Sequence, residues 1–170
     1  MKIIVTGYGR HGKDTFCELL QEMTGMKFAS SSMFAAERVI FPALRHKYNY
    51  KTVTECFEDR HHHRKEWYDL ITEYNTPDPT RLCREVFEQH DVYCGMRNIA
   101  ELHAVQRANL VDAVIWVDAS ERRPSEDRLS NTIAPVDCSV VFDNNGTVDR
   151  LREGVRDFAT KLRVLGMVTG

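Results

Sequence analysis

The stretch from Lys2 to Thr15 constrains the fold of this chain more than any other. It begins with an apolar run short enough for one buried strand, Ile3-Ile4-Val5, and continues with glycines at 7, 9 and 12 and then Lys13. Beyond this lysine, apolar side chains recur at the spacing of one helix face, at Phe16, Leu19, Leu20 and Met23. The glycines are therefore predicted to form a turn between a strand and a helix.

Two nucleotide-binding patterns overlap in this turn. Gly7-x4-Gly12-Lys13 has the spacing of a P-loop, whose backbone N–H groups and helix N-terminus hold phosphates. The same glycines satisfy G-x-G-x-x-G, a dinucleotide fingerprint that expects an acidic residue about 20 positions later. Serines follow the second strand instead, at 31 and 32. The missing carboxylate and Lys13 favour the P-loop, and a glycine-rich turn with a solvated lysine is the remaining interpretation.

Strand and helix patterns alternate along the chain, which predicts an α/β fold with a parallel sheet. The strands are predicted at 2–6, 27–30, 92–95, 113–118 and 139–143. The helices are predicted at 13–24, 32–48, 54–74, 81–90, 98–109 and from Val148 onward. We expect Pro42 to end or kink the helix in which it lies. No repeat or second domain is visible, so residues 1–170 are predicted to form a single domain.

Composition narrows the class of protein. The 170 residues are 42% hydrophobic and 28% charged, as in an ordinary globular domain. The net charge of −2 argues against a partner that is polymeric nucleic acid, although 16 of the 23 basic residues are arginine, which suits phosphate binding. No run approaches the roughly 18 apolar residues of a membrane helix. Five cysteines without a C-x-x-C pair indicate reduced thiols, so we expect a cytoplasmic protein with no membrane partner.

Three short motifs follow predicted strands: Gly-Lys-Asp-Thr at 12–15, Gly-Met-Arg at 95–97 and Phe-Asp-Asn-Asn-Gly-Thr at 142–147. Together they resemble the P-loop nucleotide kinases, and more closely the deoxynucleoside monophosphate kinases of bacteriophages, over nearly the whole chain. The resemblance implies a single-domain P-loop kinase fold, with five parallel strands flanked by helices. It also implies an arm that binds the nucleoside monophosphate, at about 32–90, and a lid at about 119–135.

The resemblance further implies a reaction and its cofactor. ATP gives its γ-phosphoryl group to a deoxynucleoside or nucleoside monophosphate, which yields ADP and a diphosphate for dNTP synthesis in the host cytoplasm. Mg²⁺ accompanies ATP in such reactions. A Ser or Thr usually follows the P-loop lysine and binds this metal, but Asp14 follows it here. The ligand is therefore left open between Asp14, Thr15 and waters that they hold.

On the ATP side, the resemblance assigns two segments. The triphosphate is bound by Gly7, Gly9, Arg10, His11, Gly12, Lys13, Asp14 and Thr15. The Asn145-Gly146 turn flanks the adenine, and a turn followed by a helix cap at Thr147 is its alternative interpretation. The catalytic cations are Lys13, Arg97, Arg122 and Arg123.

On the acceptor side, we predict that the monophosphate is bound by Arg60, Arg64, Arg97 and Glu101. The first two arginines lie four apart on the predicted 54–74 helix, so their side chains share a face. Pairing with Glu58 or Asp59 on a solvated face is the alternative. Arg97 follows the third strand, at the edge where open α/β sheets bind ligands.

Two other features bear on metal binding. The acidic residue expected at the end of the third strand is replaced by Cys94-Gly95, and Asp118 and Glu101 are candidate substitutes. The run His61-His62-His63 suggests a metal site, but consecutive helix residues point roughly 100° apart and cannot converge on one ion. A solvated face, with one histidine near the acceptor, is favoured.

Two other functions fit the same motifs. One is a P-loop kinase of another small acceptor, such as dephospho-coenzyme A. The other is a nucleotide- or dinucleotide-binding protein without transfer activity. A homodimer is compatible with the sequence.

Overall fold

The centre of the molecule is a five-stranded sheet in a computed structural model that describes residues 1–125 and 131–168. The strands are β1 (Ile3–Thr6), β2 (Phe28–Ser30), β3 (Val92–Cys94), β4 (Ala113–Asp118) and β5 (Val140–Asp143). Their order is β2-β3-β1-β4-β5, and every pairing is parallel. The predicted single-domain α/β fold with five parallel strands flanked by helices is confirmed.

Both faces of the sheet are buried at β1, β3 and β4, because helices cover each of them. Successive strand side chains point to opposite faces, so Ile4, Tyr93 and Trp116 pack into one apolar cluster. Ile3 and Val5, one position away from Ile4, pack into the other. Burial on both faces explains why these strands read as continuous apolar runs in the sequence.

Helices connect and flank the strands, and the first of them and the last three lie close to their predicted positions. The helices are α1 (Lys13–Thr24), α2 (Ser31–Ala35), α3 (Phe41–Leu44), α4 (Val53–Glu58), α5 (Arg64–Tyr74), α6 (Arg81–Gln89), α7 (Ile99–Arg107) and α8 (Val148–Val164). The Thr147 side chain accepts a hydrogen bond from the Arg150 N–H, so the predicted cap of the last helix is present. No helix within the described ranges combines the length and the apolar character that crossing a lipid bilayer requires.

The helical segment around Pro42 differs from the prediction. It begins at Ser31, and α2 passes into a π turn over Ala36–Ile40 before α3. In this turn the Phe41 N–H donates to the Ala36 carbonyl, five residues back. Proline has no N–H to donate and its ring crowds the preceding turn. The widened turn accommodates Pro42, so the helix continues to Leu44 instead of ending.

The prediction of one helix over 54–74 is wrong. The segment forms α4, a 3-10 turn at Asp59–His61, and α5. The Asp59 carboxylate accepts a hydrogen bond from the Tyr50 hydroxyl at 2.6 Å and pairs with the His63 ring at 3.0 Å. These contacts hold the chain in a non-helical bend at residues 62 and 63. Arg60 and Arg64 therefore do not share one helix face.

A third apolar cluster lies outside the two that line the sheet. Its buried members come from residues 36–67 and are Ala36, Val39, Ile40, Leu44, Cys56 and Trp67. The segment from α2 to α5 thus has a small core of its own. This segment falls within the predicted arm at 32–90, whose role stays a prediction.

Candidate functional site

The loop between β1 and α1, residues 7–12, is called the glycine loop here. At two of its glycines, a larger residue would clash with neighbouring atoms. A Cβ at Gly7 (φ +140°) would lie 2.5 Å from the Val117 carbonyl oxygen, and a Cβ at Gly12 (φ +88°) would lie 2.3 Å from Asn144 Nδ2. Both backbones are in conformations that only glycine adopts readily. Arg10 adopts a left-handed conformation as well, with φ 63°.

Side chains from distant parts of the sequence hold the glycine loop in place. Asn144 Nδ2 donates to the His11 carbonyl at 2.8 Å, and Asn131 Nδ2 donates to the Gly7 carbonyl at 3.2 Å. The Ala119 N–H donates to His11 Nδ1 at 2.9 Å. The His11 ring is completely buried, so only its backbone can face a ligand. The sequence reasoning missed both asparagines, although Asn144 adjoins the predicted Asn145.

The start of α1 can bind an anion. The helix begins at Lys13 without a side-chain cap, so the N–H groups of its first turn are available and its dipole favours negative charge. Lys13 Nζ donates to the Tyr8 carbonyl at 2.7 Å, which carries the ammonium across the glycine loop. This arrangement has the geometry of a phosphate site.

Asp14 lies beside the end of β3, where the sequence lacks a carboxylate. The Cys94 thiol donates to Asp14 Oδ1 at 3.5 Å. Burial raises the pKa of the Cys17 thiol well above its ordinary value, and the adjacent Cys94 thiol and Asp14 carboxylate raise it further. Asp14 is exposed and Thr15 is half-buried, so one carboxylate and one hydroxyl flank the Lys13 ammonium.

These oxygens fit Mg²⁺, which favours oxygen ligands and in phosphate sites takes one or two carboxylates while keeping several waters. No group of three or more His, Cys, Asp or Glu side chains could hold a metal ion within the described residues. A site completed by the nucleotide phosphates needs no such group. Asp14 and Thr15 are therefore the residues that could hold the metal.

The predicted arm carries a run of basic side chains and histidines at residues 60–64. The pKa of His61 is lowered, first by the charge of Arg60 and then by burial and by Arg64. The charge of Arg10, in the glycine loop, makes a smaller contribution to the same lowering. Arg64 Nη2 donates to His61 Nδ1 at 3.3 Å. Arg60 stacks on Phe57 with 3.9 Å between its guanidinium carbon and the ring centre.

Arg97 and Glu101 lie where the sequence predicts, at the carboxyl edge of the sheet beyond β3. The Thr6 hydroxyl donates to the Met96 carbonyl at 2.7 Å, which ties this turn to β1. The Asn98 side chain caps α7 and so places Glu101 in the first turn of that helix. Glu101 Oε1 is buried and has no hydrogen-bond partner in the described part of the chain. Burial raises the pKa of Glu101 to about 7.

Replacing Glu101 with Gln should change how stability depends on pH. Because its pKa rises from 4.5 to about 7 on folding, the folded state binds more protons than the unfolded state between these values. Wild-type stability should therefore fall as pH rises through this window, by about 3 kcal/mol at most. The free energy of unfolding of Glu101→Gln, measured with urea at pH 5 and pH 8, should not show this fall. The exposed Glu88→Gln is the control, and a Glu101→Gln variant with the wild-type pH slope would contradict the assignment.

The predicted lid is described only up to residue 125 and from residue 131 onward; residues 126–130 lie outside the described structure. Its first turn is held by Arg122, whose Nε donates to the Asn144 carbonyl at 2.7 Å. Asn145 accepts from the Glu121 N–H at 2.9 Å and donates to Asp118 at 3.3 Å. Asn145 and Asp118 thus brace the start of the lid, and a contact of Asn145 with adenine stays a prediction.

Comparisons with known proteins show the fold. No family model matches the sequence, and no curated protein matches it. The structure is similar to that of TT1252 from Thermus thermophilus, with a TM-score of 0.54, 18% identity, and coverage of 100% of this chain and 98% of the other.

Two further solved structures resemble the chain more distantly. A shikimate kinase from Aquifex aeolicus gives a TM-score of 0.47 at 11% identity, over 98% of this chain and 99% of the other. A gluconokinase from Sinorhizobium meliloti gives a TM-score of 0.49 at 13% identity, over 95% of this chain and 92% of the other.

Proposed function

We propose that the protein transfers the γ-phosphoryl group of ATP to a small phosphorylated acceptor, a deoxynucleoside monophosphate. The observation that carries this proposal is the anion site at the start of α1, where Lys13 lies across the glycine loop. Arg60, His61 and Arg64 of the arm supply the cations for a second anionic group, and the charge of Arg10 acts on His61. Phosphoryl transfer requires two anionic groups held end to end, with their charge neutralised.

On the donor side, the backbone from Gly9 to Thr15 wraps the triphosphate and Lys13 contacts its outer phosphates. Asp14 and Thr15 would hold Mg²⁺, which would neutralise the charge of the phosphates. Gly7 and Gly12 let the glycine loop pack closely against Val117 and Asn144, which fixes the shape of the loop around the triphosphate. Asn145 and Gly146 border the adenine.

On the acceptor side, Arg64 and Arg97 bind the acceptor phosphate. Arg60 would have to leave its stack on Phe57 to join them, and its bond to the Phe57 carbonyl at 2.8 Å opposes that movement. Glu101 borders the rest of the acceptor. The arm at 32–90 and the lid at 119–135 close over the substrates, and Arg122 and Arg123 act on the transferring group.

A coupled assay of ADP release tests the proposal. We expect Mg²⁺-dependent turnover with at least one deoxynucleoside monophosphate and little without an acceptor. Turnover with dephospho-coenzyme A alone would assign a different acceptor, and ATP binding without turnover would indicate a nucleotide-binding protein. Calorimetry with ATP and NADPH completes the test, because binding of NADPH but not ATP would show that the glycines form the dinucleotide motif.

Arginine variants should separate the two half-sites. A charge-assisted contact to phosphate contributes roughly 1.5–3 kcal/mol, or about ten- to a hundredfold in binding. Arg64→Ala or Arg97→Ala should raise the KM for the acceptor by about that factor and leave the KM for ATP nearly unchanged. The double variant Arg122→Ala/Arg123→Ala should mainly lower kcat.

Saturation curves for each substrate measure these effects. Lys65→Ala is the control on the arm, since Lys65 is exposed and paired with Asp69 at 2.6 Å; it should change neither KM by more than about twofold. If Arg64→Ala and Arg97→Ala weaken ATP binding and spare the acceptor, the half-sites are assigned the wrong way round.

A further inference from the structure

Asp14 occupies a position that the fold itself does not require to be acidic. It lies in the first turn of α1, where it makes no capping hydrogen bond. It forms no ion pair in the described part of the chain, and its side chain is exposed. Its contact is with the Cys94 thiol at 3.5 Å, and a thiol is only a weak donor. A carboxylate so weakly engaged is available to a ligand.

The same contact places Asp14 at the end of β3. Strand β3 pairs with β1 in parallel, with Cys94 opposite Val5. Cys94 therefore ends its strand directly beside the glycine loop, at the position where the sequence lacks an acidic residue. Its side chain is almost completely buried and cannot bind a hard cation such as Mg²⁺, which prefers oxygen ligands. The Asp14 carboxylate, which projects from α1, lies next to this strand end.

The sign of the Asp14 charge matters for a nucleotide bound at this site. The anion site at the start of α1 adjoins Lys13, so nucleotide phosphates bound there would lie next to the Asp14 carboxylate. Without a metal, the carboxylate and the phosphates repel each other. With Mg²⁺ between them, both attract the same ion. A Ser or Thr at this position would add no repulsion.

We infer that Asp14 supplies, from helix α1, the metal-binding carboxylate that β3 lacks, and that its charge makes Mg²⁺ obligatory for nucleotide binding. The inference rests on the proposed function, because it requires ATP at the glycine loop. It commits to Asp14 as the carboxylate of the metal site and leaves Asp118 and Glu101 outside that site. Asp118 is engaged with Asn145 and with the Ser120 hydroxyl at 2.8 Å.

Calorimetry without turnover tests this inference. The Kd of ATP is measured for the wild type and for Asp14→Asn, once with Mg²⁺ and once with excess EDTA. In the variant, Mg²⁺·ATP should bind about ten- to a hundredfold more weakly, through the lost charge-assisted contact. Metal-free ATP should bind more tightly than it does to the wild type. Opposite changes in the two constants distinguish a metal ligand from a residue that merely stabilises α1.

Glu18→Gln is the matched control, because it removes an exposed carboxylate one turn further along α1; the ratio of the two constants should stay within about twofold of the wild type. Thr15→Ala tests the other candidate ligand.

The outcomes separate this inference from the proposed function. A wild type that binds ATP in neither condition overturns the proposed function itself. A wild type that binds Mg²⁺·ATP, with an Asp14→Asn variant that changes both constants in the same direction or neither of them, overturns the role of Asp14 alone. A loss of metal dependence in Thr15→Ala but not in Asp14→Asn also overturns it.

Discussion

Lys13→Ala should reduce turnover by at least three orders of magnitude, roughly the loss expected when a cation on the transferring phosphoryl group is removed. The Lys13 ammonium spans the glycine loop and donates to the Tyr8 carbonyl at 2.7 Å, a position from which it can turn to phosphate oxygens. Because this hydrogen bond lies at a partly exposed site, its loss should lower the free energy of unfolding by only about 1 kcal/mol. The substitution should therefore lower kcat strongly and leave the protein folded.

The measurement is a steady-state rate together with a urea unfolding curve. Lys161→Ala is the control, since Lys161 is exposed on the last helix, α8, and should leave both quantities unchanged. Wild-type turnover in the Lys13→Ala enzyme would refute the P-loop assignment. An unfolded Lys13→Ala protein would show that the lysine is needed for folding as well as for ligand binding.

Gly7→Ala should destabilise the fold and abolish nucleotide binding together. The new Cβ would lie 2.5 Å from the Val117 carbonyl oxygen, which belongs to the backbone of β4 and cannot rotate away. The backbone at Gly7 also has φ +140°, which is strained for alanine. Strain and overpacking each cost about 1–3 kcal/mol, so we expect a loss of about 2–5 kcal/mol in the free energy of unfolding.

Gly25→Ala provides the matched comparison. Gly25 ends α1 with φ +74°, but nothing lies within 4 Å of its would-be Cβ. Only the backbone strain applies there, so a loss of about 1–2 kcal/mol is expected. Chemical unfolding of both variants, with ATP calorimetry, measures the difference. Equal destabilisation by the two substitutions would show that the contact with Val117 is relieved by movement of the loop.

Local patterns in the sequence predicted most of the fold. A continuous apolar run placed β4 at 113–118, and the periodicity of apolar residues placed α1 at 13–24; both have these bounds in the structure. Such patterns work because a strand buried on both faces is apolar throughout and an amphipathic helix repeats its apolar face every three to four residues. The break between α4 and α5 was missed because Tyr50 and His63 hold Asp59 through side-chain hydrogen bonds, which the spacing of apolar residues does not reveal.

The candidate site was predictable only where its residues adjoin in sequence. The glycine spacing located the loop that can hold a phosphate, and Arg97 follows β3 as the edge rule requires. The asparagines that fix the loop were missed because they bond across 124 and 133 positions. The effect of the Arg10 charge on His61 likewise depends on how the arm folds back. The catalytic and binding roles assigned to individual residues stay predictions until they are measured.

The separate core of residues 36–67 has a mechanical consequence. Its buried apolar side chains contact one another, and the partly buried Ile71 and Tyr74 pack against both this cluster and the sheet. A displacement of the segment about that junction would leave its own interior intact. If the segment moves when substrates bind, we expect residues 36–67 to move as one body, with buried amide hydrogens that stay protected from exchange.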